Sequence, residues 1–385
     1  MVAEVDMPRT ESPVAMVFAA VELSFNTWLI GIGTPDSRTV SRHQVKGGDL
    51  RELISVLNRA AKQEEVRCGR SAHVHVCFEA GRDGHWLWRA LTAEGFTVSE
   101  IDAASVAVNR RQRRAKTDRL DVEQLVRVQA ALARGDRSVC SVVHVPTPED
   151  EDAKRLHRER ERLVRERTSH VNRIKALLYT QGVREFEPTR RDRLKRLVEL
   201  RTWNGTPLPA RLRAELEREC RRLALVIEMI AEVETERNAL IDEASPAPTA
   251  MQEKMVVLAK LKGVGPGIAS VLASEVYYRN FRNRRELGQY VGLAPSPYAS
   301  GDRSRDQGIS KAGNARARTV LLEGAWMWLR YQSDSALSKW FRSRVGDTRG
   351  RVKRIAIVAL ARKLAIALWR YVETGLVPEG AILKA

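Results

Sequence analysis

A cationic run that stops at two aspartates limits this chain more than any other stretch. Arg110, Arg111, Arg113, Arg114 and Lys116 lie close together, and Asp118 and Asp121 follow at once. Leu120, Val122, Leu125, Val126 and Val128 then recur at helical spacing, which predicts a helix beginning at Asp118. Residues three apart share one helix face, so both carboxylates point the same way. On the segment alone two readings stand. Acidic residues in a first turn, with Thr117 as N-cap, are ordinary helix-start chemistry. A carboxylate pair beside a cationic run also suits a divalent ion next to a polyanion grip.

The segments before it predict a domain for that helix. Val14 to Glu22 and Thr27 to Gly33 are apolar runs that read as adjacent strands. Leu50, Leu53, Ile54 and Leu57 mark a helix over 49–61, His73 to Phe78 a strand leading into Glu79, Trp86 to Leu91 a helix, and Phe96 to Ile101 a strand. The pattern is an α/β domain of mixed strand order. Glu22 and Glu79 then fall at strand ends, with Asp118 and Asp121 on a helix after the sheet. Carboxylates converging there repel one another unless a cation sits among them. Mg2+ fits such a set, because it takes a few carboxylates and substrate phosphates while keeping several waters.

Charge points to the partner. Lys and Arg number 66 against 48 Asp and Glu, a net charge of +18, which favours polyanions through counterion release and steering. The basic residues are spread over many segments instead of one amphipathic helix, so nucleic acid is expected and a membrane surface is not. Cys68, Cys77, Cys140 and Cys220 form no CxxC pair, which argues against a zinc module or a disulfide framework. No signal-peptide pattern opens the chain, and Arg362 and Lys363 interrupt the longest apolar run. A cytoplasmic, nucleoid-associated protein is the expectation.

Further along, Leu156, Leu163, Val171, Ile174 and Leu178 form a narrow apolar stripe in a charged stretch, and Leu216, Leu223, Ile227 and Ile230 form another. Both predict coiled-coil-like helices suited to self-association, with a turn region over 186–210 between them. After Pro246 and Pro248, apolar residues flank Gly263, Val264, Gly265, Pro266 and Gly267 in a helix-hairpin-helix pattern, whose backbone amides suit phosphate. The remainder, 320–376, reads as helical, with Trp326, Trp328, Trp340, Trp369 and Tyr371 as core.

Three segments carry a family resemblance in the first half: Val21-Glu22-Leu23-Ser24, Phe78-Glu79-Ala80-Gly81 and Ala115-Lys116-Thr117-Asp118-Arg119-Leu120-Asp121. They resemble the acidic motifs of the DEDD insertion-sequence transposases, the insertion-sequence family numbered one hundred and ten. In the second half, Tyr290-Val291-Gly292-Leu293-Ala294-Pro295, Ser296-Pro297-Tyr298-Ala299-Ser300-Gly301 and Gly308-Ile309-Ser310-Lys311-Ala312-Gly313-Asn314-Ala315-Arg316 resemble the same family's carboxy-terminal domain.

The resemblance implies a RuvC-like domain of RNase H type at 14–145, a coiled-coil spacer and assembly region at 146–248, and an all-α transposase domain at 249–385. It implies Glu22, Glu79, Asp118 and Asp121 as ligands of Mg2+ or Mn2+; the family's usual first ligand is aspartate, and Glu22 keeps the charge with one more methylene. Ser300 matches the serine that attacks DNA phosphate, with Ser296 and Ser310 as neighbouring serines. Arg303, Arg305, Lys311 and Arg316 would neutralise phosphate, with Asn314 as a hydrogen-bonding position. DNA ends and target, a structured guide RNA and a homo-oligomer, a dimer assembling to a tetramer, are the partners implied. No GxxxxGK[ST] is present, so no ATP site is expected. Two other functions fit the residues: a metal-dependent junction nuclease using water, and a non-catalytic DNA-binding protein.

Overall fold

Alternating apolar residues build the first sheet of this computed structural model, which describes residues 14–37, 39–81, 85–106, 118–242, 248–300, 303–346, 348 and 350–384. The side chains of 242, 299, 300, 303, 304 and 306 are not described. The chain divides into two compact units, Met1–Pro146 and Thr147–Ala385.

In the first unit the elements run β1 (Ala15–Leu23), β2 (Thr27–Gly33), β3 (Ser41–Lys46), α1 (Leu50–Cys68), β4 (Ala72–Glu79), α2 (Trp86–Ala93), β5 (Thr97–Ile101) and α3 (Asp118–Ala133). The five strands form one mixed sheet in the order β3-β2-β1-β4-β5. β1 to β3 pair antiparallel, while β4 joins β1 and β5 in parallel. This mixed α/β sheet is consistent with the RNase H type.

Period-two alternation sends β1 and β4 side chains to opposite faces. Val17, Ala19, Val21, Val74, Val76 and Phe78 pack with Leu53 and Leu57 of α1 and Leu87 and Leu91 of α2. Phe18, Ala20 and Cys77 pack on the other face with Val122, Leu125 and Val126 of α3. β3 is missing from the strands expected above. Its sequence, Ser-Arg-His-Gln-Val-Lys, buries only Val45, as an exposed edge strand does, so it lacks the apolar run that marks its neighbours.

The second unit begins with α4 (Pro148–Asp152), α5 (Arg155–Tyr179), α6 (Arg193–Glu199) and α7 (Ala210–Asp242). Leu163 of α5 packs with Val226, Ile230 and Val233 of α7, and Ile174 and Leu178 pack with Leu216, Cys220 and Leu223. Arg160 pairs with Glu234 at 2.5 Å, His170 with Glu219 at 2.7 Å and Arg173 with Glu215 at 2.7 Å, so the two long helices run antiparallel. The turn region between them contains the short helix α6, whose Leu197 closes the apolar end of the pair.

Then come α8 (Ala250–Ala259), α9 (Pro266–Leu272), a π-helical turn (Ala273–Tyr277), α10 (Arg284–Tyr290), β6 (Pro295–Ser300), β7 (Arg303–Ile309), α11 (Ala315–Tyr331), α12 (Ala336–Val345) and α13 (Arg351–Thr374). Leu258, Leu272, Tyr277, Leu321, Trp328, Leu360 and Leu364 are among its buried core. Trp328 is fully buried and its Nε1 donates to Ser335 Oγ at 2.9 Å, whereas Trp326 is 42% exposed. The all-α expectation for 249–385 is corrected by β6 and β7, which form an antiparallel two-stranded sheet. Pro, Ser, Gly and Arg are poor strand formers, and this hairpin is held by its base instead of by apolar alternation. Among the described residues no helix is long and apolar enough to cross a membrane.

Candidate active site

Two strands of the first unit end in glutamates at the same end of the sheet. Parallel register pairs Val21 with Phe78, so the next residue on each strand is a glutamate, Glu22 on β1 and Glu79 on β4. By strand alternation both share the face of Phe18, Ala20 and Cys77, the face that α3 covers. Helix α3 reaches that end with its first turn. A Cβ on Gly31 would meet Val122 at 3.0 Å and Val126 at 3.2 Å, and one on Gly33 would meet Val126 at 3.1 Å. Gly31 lies opposite Ala20 and Gly33 opposite Phe18, so α3 descends the sheet away from Glu22 as its residue numbers rise. Cys77 Sγ donates to Leu125 O at 3.4 Å and fixes the level. Asp121 is about one turn ahead of Leu125, and Glu79 is one two-residue step beyond Cys77.

Register and helix direction therefore bring Glu22, Glu79 and the first turn of α3 to one end of the sheet. Carboxylate donors suit a hard cation such as Mg2+ or Mn2+. Among the described residues, no three His, Cys, Asp or Glu side chains stand close enough together to hold an ion. The residues fit the ion in donor type and in backbone placement, and the side chains are not drawn into a cage. Thr117 and the cationic residues Arg110, Arg111, Arg113, Arg114 and Lys116 lie outside the described residues.

In the second unit, Ser300 ends β6, and the base of its hairpin is laced together by the two glycine-containing segments. Ser310 N donates to Ala294 O at 2.9 Å, Lys311 N to Gly292 O at 3.2 Å and Asn314 N to Tyr290 O at 2.8 Å. The approach is too close for side chains. A Cβ on Gly292 would stand 2.1 Å from Ala312 O, and one on Gly313 would stand 2.2 Å from Tyr290 O. Lys311 takes φ +56°, the single positive φ outside glycine among the described residues, and its carbonyl accepts from Arg318 Nη1 at 2.9 Å.

Beneath this base lies a buried ion cluster that sequence reading missed. Glu275, 3% exposed in the π-helical turn, accepts from His157 Nε2 at 2.9 Å, from Arg158 Nε at 2.8 Å and Nη2 at 3.2 Å, and from Asn314 Nδ2 at 3.0 Å. Its backbone carbonyl accepts from Tyr290 OH at 2.8 Å. Burial alone would raise the Glu275 pKa. The hydrogen bonds from His157, Arg158 and Asn314 and the Arg158 charge outweigh it and hold the carboxyl well below the usual range. One signal was available: an acid inside the apolar run 268–277 must find partners if the run is buried.

The other candidate residues are placed as follows. Asn314 caps α11, its side chain accepting from Ala317 N, so its amide is committed internally. Arg316 is ion-paired to Glu161 of α5. Arg305 stands opposite Tyr298 across the hairpin and is exposed, as are Lys311 and Ser310. Arg303 pairs with Ser300 in backbone register. Gly263 is packed, since a Cβ there would lie 3.2 Å from Met327 O, whereas Gly265 has open space around it.

Comparison with known proteins identifies the family. Residues 255–340 match the transposase IS116/IS110/IS902 family, and residues 35–181 match the transposase family DEDD_Tnp_IS110. The chain is 46% identical to y4rJ of Sinorhizobium fredii, a protein bearing a transposase name, over 98% of each chain. It is 30% identical to the transposase for insertion sequence element IS1111A of Coxiella burnetii, over 76% of each. With the transposase for IS1328 of Yersinia enterocolitica it shares 29% over 76% of this chain and 82% of that one. These matches over both halves of the chain place it among DNA-recombining enzymes. This chain belongs to the IS110/IS116/IS902 family of transposases.

Proposed function

We propose that this chain moves an insertion sequence by cutting and rejoining DNA through Ser300, assisted by the carboxylates Glu22, Glu79, Asp118 and Asp121. The observation that carries the reading is the laced hairpin base, in which close-approach glycines and the buried Glu275 cluster hold the start of the strand that ends at Ser300. A nucleophile needs such a rigid support, because an ångström of misplacement is costly in rate. In the proposed step a bond forms between Ser300 Oγ and phosphorus as one backbone P–O bond breaks. The hydroxyl proton is lost and the departing sugar oxygen gains one. Attack by a partner strand's sugar hydroxyl reverses the exchange, so bond energy is conserved and no nucleotide is consumed.

Bound at the acidic end, Mg2+ or Mn2+ would supply positive charge to phosphate oxygens and lower the pKa of a hydroxyl. Glu22, Glu79, Asp118 and Asp121 would hold it, and Arg305 and Lys311, exposed on and beside the hairpin, would neutralise phosphate. The helix-hairpin-helix reading of 258–272 enters here as a sequence-independent backbone contact, with Gly265 on its open side. The antiparallel α5–α7 pair, read as a coiled coil, would serve assembly of a dimer into a tetramer. A structured RNA guiding target choice is the second nucleic acid proposed.

The test is strand exchange on element-end DNA with its flanking transcript in Mg2+. Wild type is expected to recombine, and Ser300→Ala and Asp121→Ala to lose activity by at least ~10³-fold. Cut ends that survive Ser300→Ala but not Asp121→Ala would make the enzyme a hydrolytic nuclease instead.

A further inference from the structure

One face of α3 and the turn after it carry a row of arginines to which the proposed chemistry gives no role. Arg119, Glu123, Arg127 and Arg134 line an open cavity of about 470 Å³ with Arg42 of β3 and Ser37 of the segment beyond β2. Arg119 and Arg127 lie on one face of α3, and Arg134, in the turn that ends the helix, continues the row seven residues on. Glu123, with 22% of its side chain exposed, accepts from Arg42 Nη1 at 3.4 Å and from Arg119 Nε at 3.3 Å. Its Oε1 draws these two guanidiniums together at the cavity wall without neutralising the row. Arg127 and Arg134 are exposed and have no carboxylate within 4.0 Å among the described residues. Some exposed arginines on other helices are neutralised by a neighbour one turn away, as Arg162 is by Glu166 and Arg213 by Glu217. Four guanidiniums against Glu123 and the nearby Asp136 leave a local excess of about two positive charges.

We propose that this groove holds the phosphodiester backbone of a nucleic-acid strand on its way to or from the acidic end of the sheet. The row starts beside Asp118 and runs fifteen residues along α3 and into the turn that ends it. That is about 22 Å of helix, and a strand of B-form geometry advances about 3.4 Å per phosphate, so the row spans roughly six phosphates. Arginine's planar fork suits paired phosphate oxygens, and the Ser37 hydroxyl adds a hydrogen-bond partner. The inference rests on the transposase reading above and extends it, giving the strand a path and naming the residues that position it.

The experiment measures binding of a fluorescein-labelled 20-mer, as single-stranded DNA and as RNA of the same sequence, to the full chain by anisotropy across a KCl series. The variants are Arg127→Glu/Arg134→Glu, the charge-keeping Arg127→Lys/Arg134→Lys, and Arg218→Glu/Arg221→Glu on exposed α7 positions as a control of equal charge change. The groove reversal is expected to weaken binding at least tenfold and to flatten the slope of log K against log salt by about 1.4, two single-strand contacts at about 0.7 each. The lysine pair keeps the slope, and the α7 control changes it by less than half as much. Loss confined to DNA or to RNA names which strand occupies the groove. A wild-type chain that binds neither oligonucleotide overturns the transposase reading along with the groove. Wild-type binding whose slope is unchanged in Arg127→Glu/Arg134→Glu, or changed no more than in the control, overturns the groove alone.

Discussion

Asn314 Nδ2 donates to Glu275 Oε2 across 3.0 Å while Asn314 Oδ1 caps α11 at Ala317 N, so one side chain ties a buried carboxylate to a helix start. The same Glu275 binds His157 and Arg158 at the head of α5. Through these contacts the long helix, the π-helical turn and the base of the Ser300 hairpin share one fixed point.

Removing that charge leaves a buried His157 and a half-exposed Arg158 without a carboxylate partner. Glu275→Gln is expected to cost about 2–3 kcal/mol, below the ~3–5 of a fully buried pair because water reaches Arg158. Asn314→Asp, although a good cap, sets two carboxylates against each other and should destabilise more than Asn314→Ser. Urea denaturation of each full-length variant at pH 7 checks both orders.

The Glu275 carboxyl is held well below its ordinary value of 4.5. A depressed carboxyl contributes stability that is complete above the unfolded value and is lost as pH falls towards the folded one. Wild type should therefore lose its advantage over Glu275→Gln from about pH 5 downward. Denaturation of the pair at stepwise pH between 7 and 3 measures this, and parallel curves would refute it.

Glycine-to-alanine changes separate backbone strain from collision. Gly308 has φ +86° and open space, so Gly308→Ala should cost only about 1 kcal/mol. Gly292→Ala and Gly313→Ala add collisions near 2 Å with backbone oxygens, and should cost several times as much while abolishing strand exchange. Melting temperature and recombination assays on the three variants give the ranking.

Gly31 lets α3 lie against β2, and a larger side chain there must push Val122 and Val126 away. Gly31→Leu is expected to destabilise by about 1–3 kcal/mol and to shift the first turn that carries Asp118 and Asp121. Mn2+ affinity from calorimetry should fall in Gly31→Leu and in Asp121→Ala. Unchanged affinity in both would remove the ion from the acidic end.

Much of the first unit was legible because its signals are local. Apolar alternation marks β1, β2 and β4, and helical spacing marks α1 and α3, so the glutamates at the two strand ends could be named from sequence. β3 escaped because only Val45 is buried. The β6–β7 hairpin escaped because Pro295, Pro297 and Gly308 deny it a strand-like composition, and its stability comes from residues twenty positions apart in sequence meeting at Gly292 and Gly313. Glu275 was invisible for a similar reason. Its partners His157 and Arg158 lie more than a hundred residues away, on a helix where charged residues read as solvated.

The central claim is a covalent bond between this protein and DNA at one serine. Trapping the reaction on a nicked element-end duplex in Mg2+, digesting with protease and nuclease, and sequencing the adduct peptide by tandem mass spectrometry tests it directly. A nucleotide on Ser300, absent from Ser296 and Ser310 and lost in Asp121→Ala, is the result expected. Cleaved DNA with no adduct peptide, or an adduct on another residue, would contradict it.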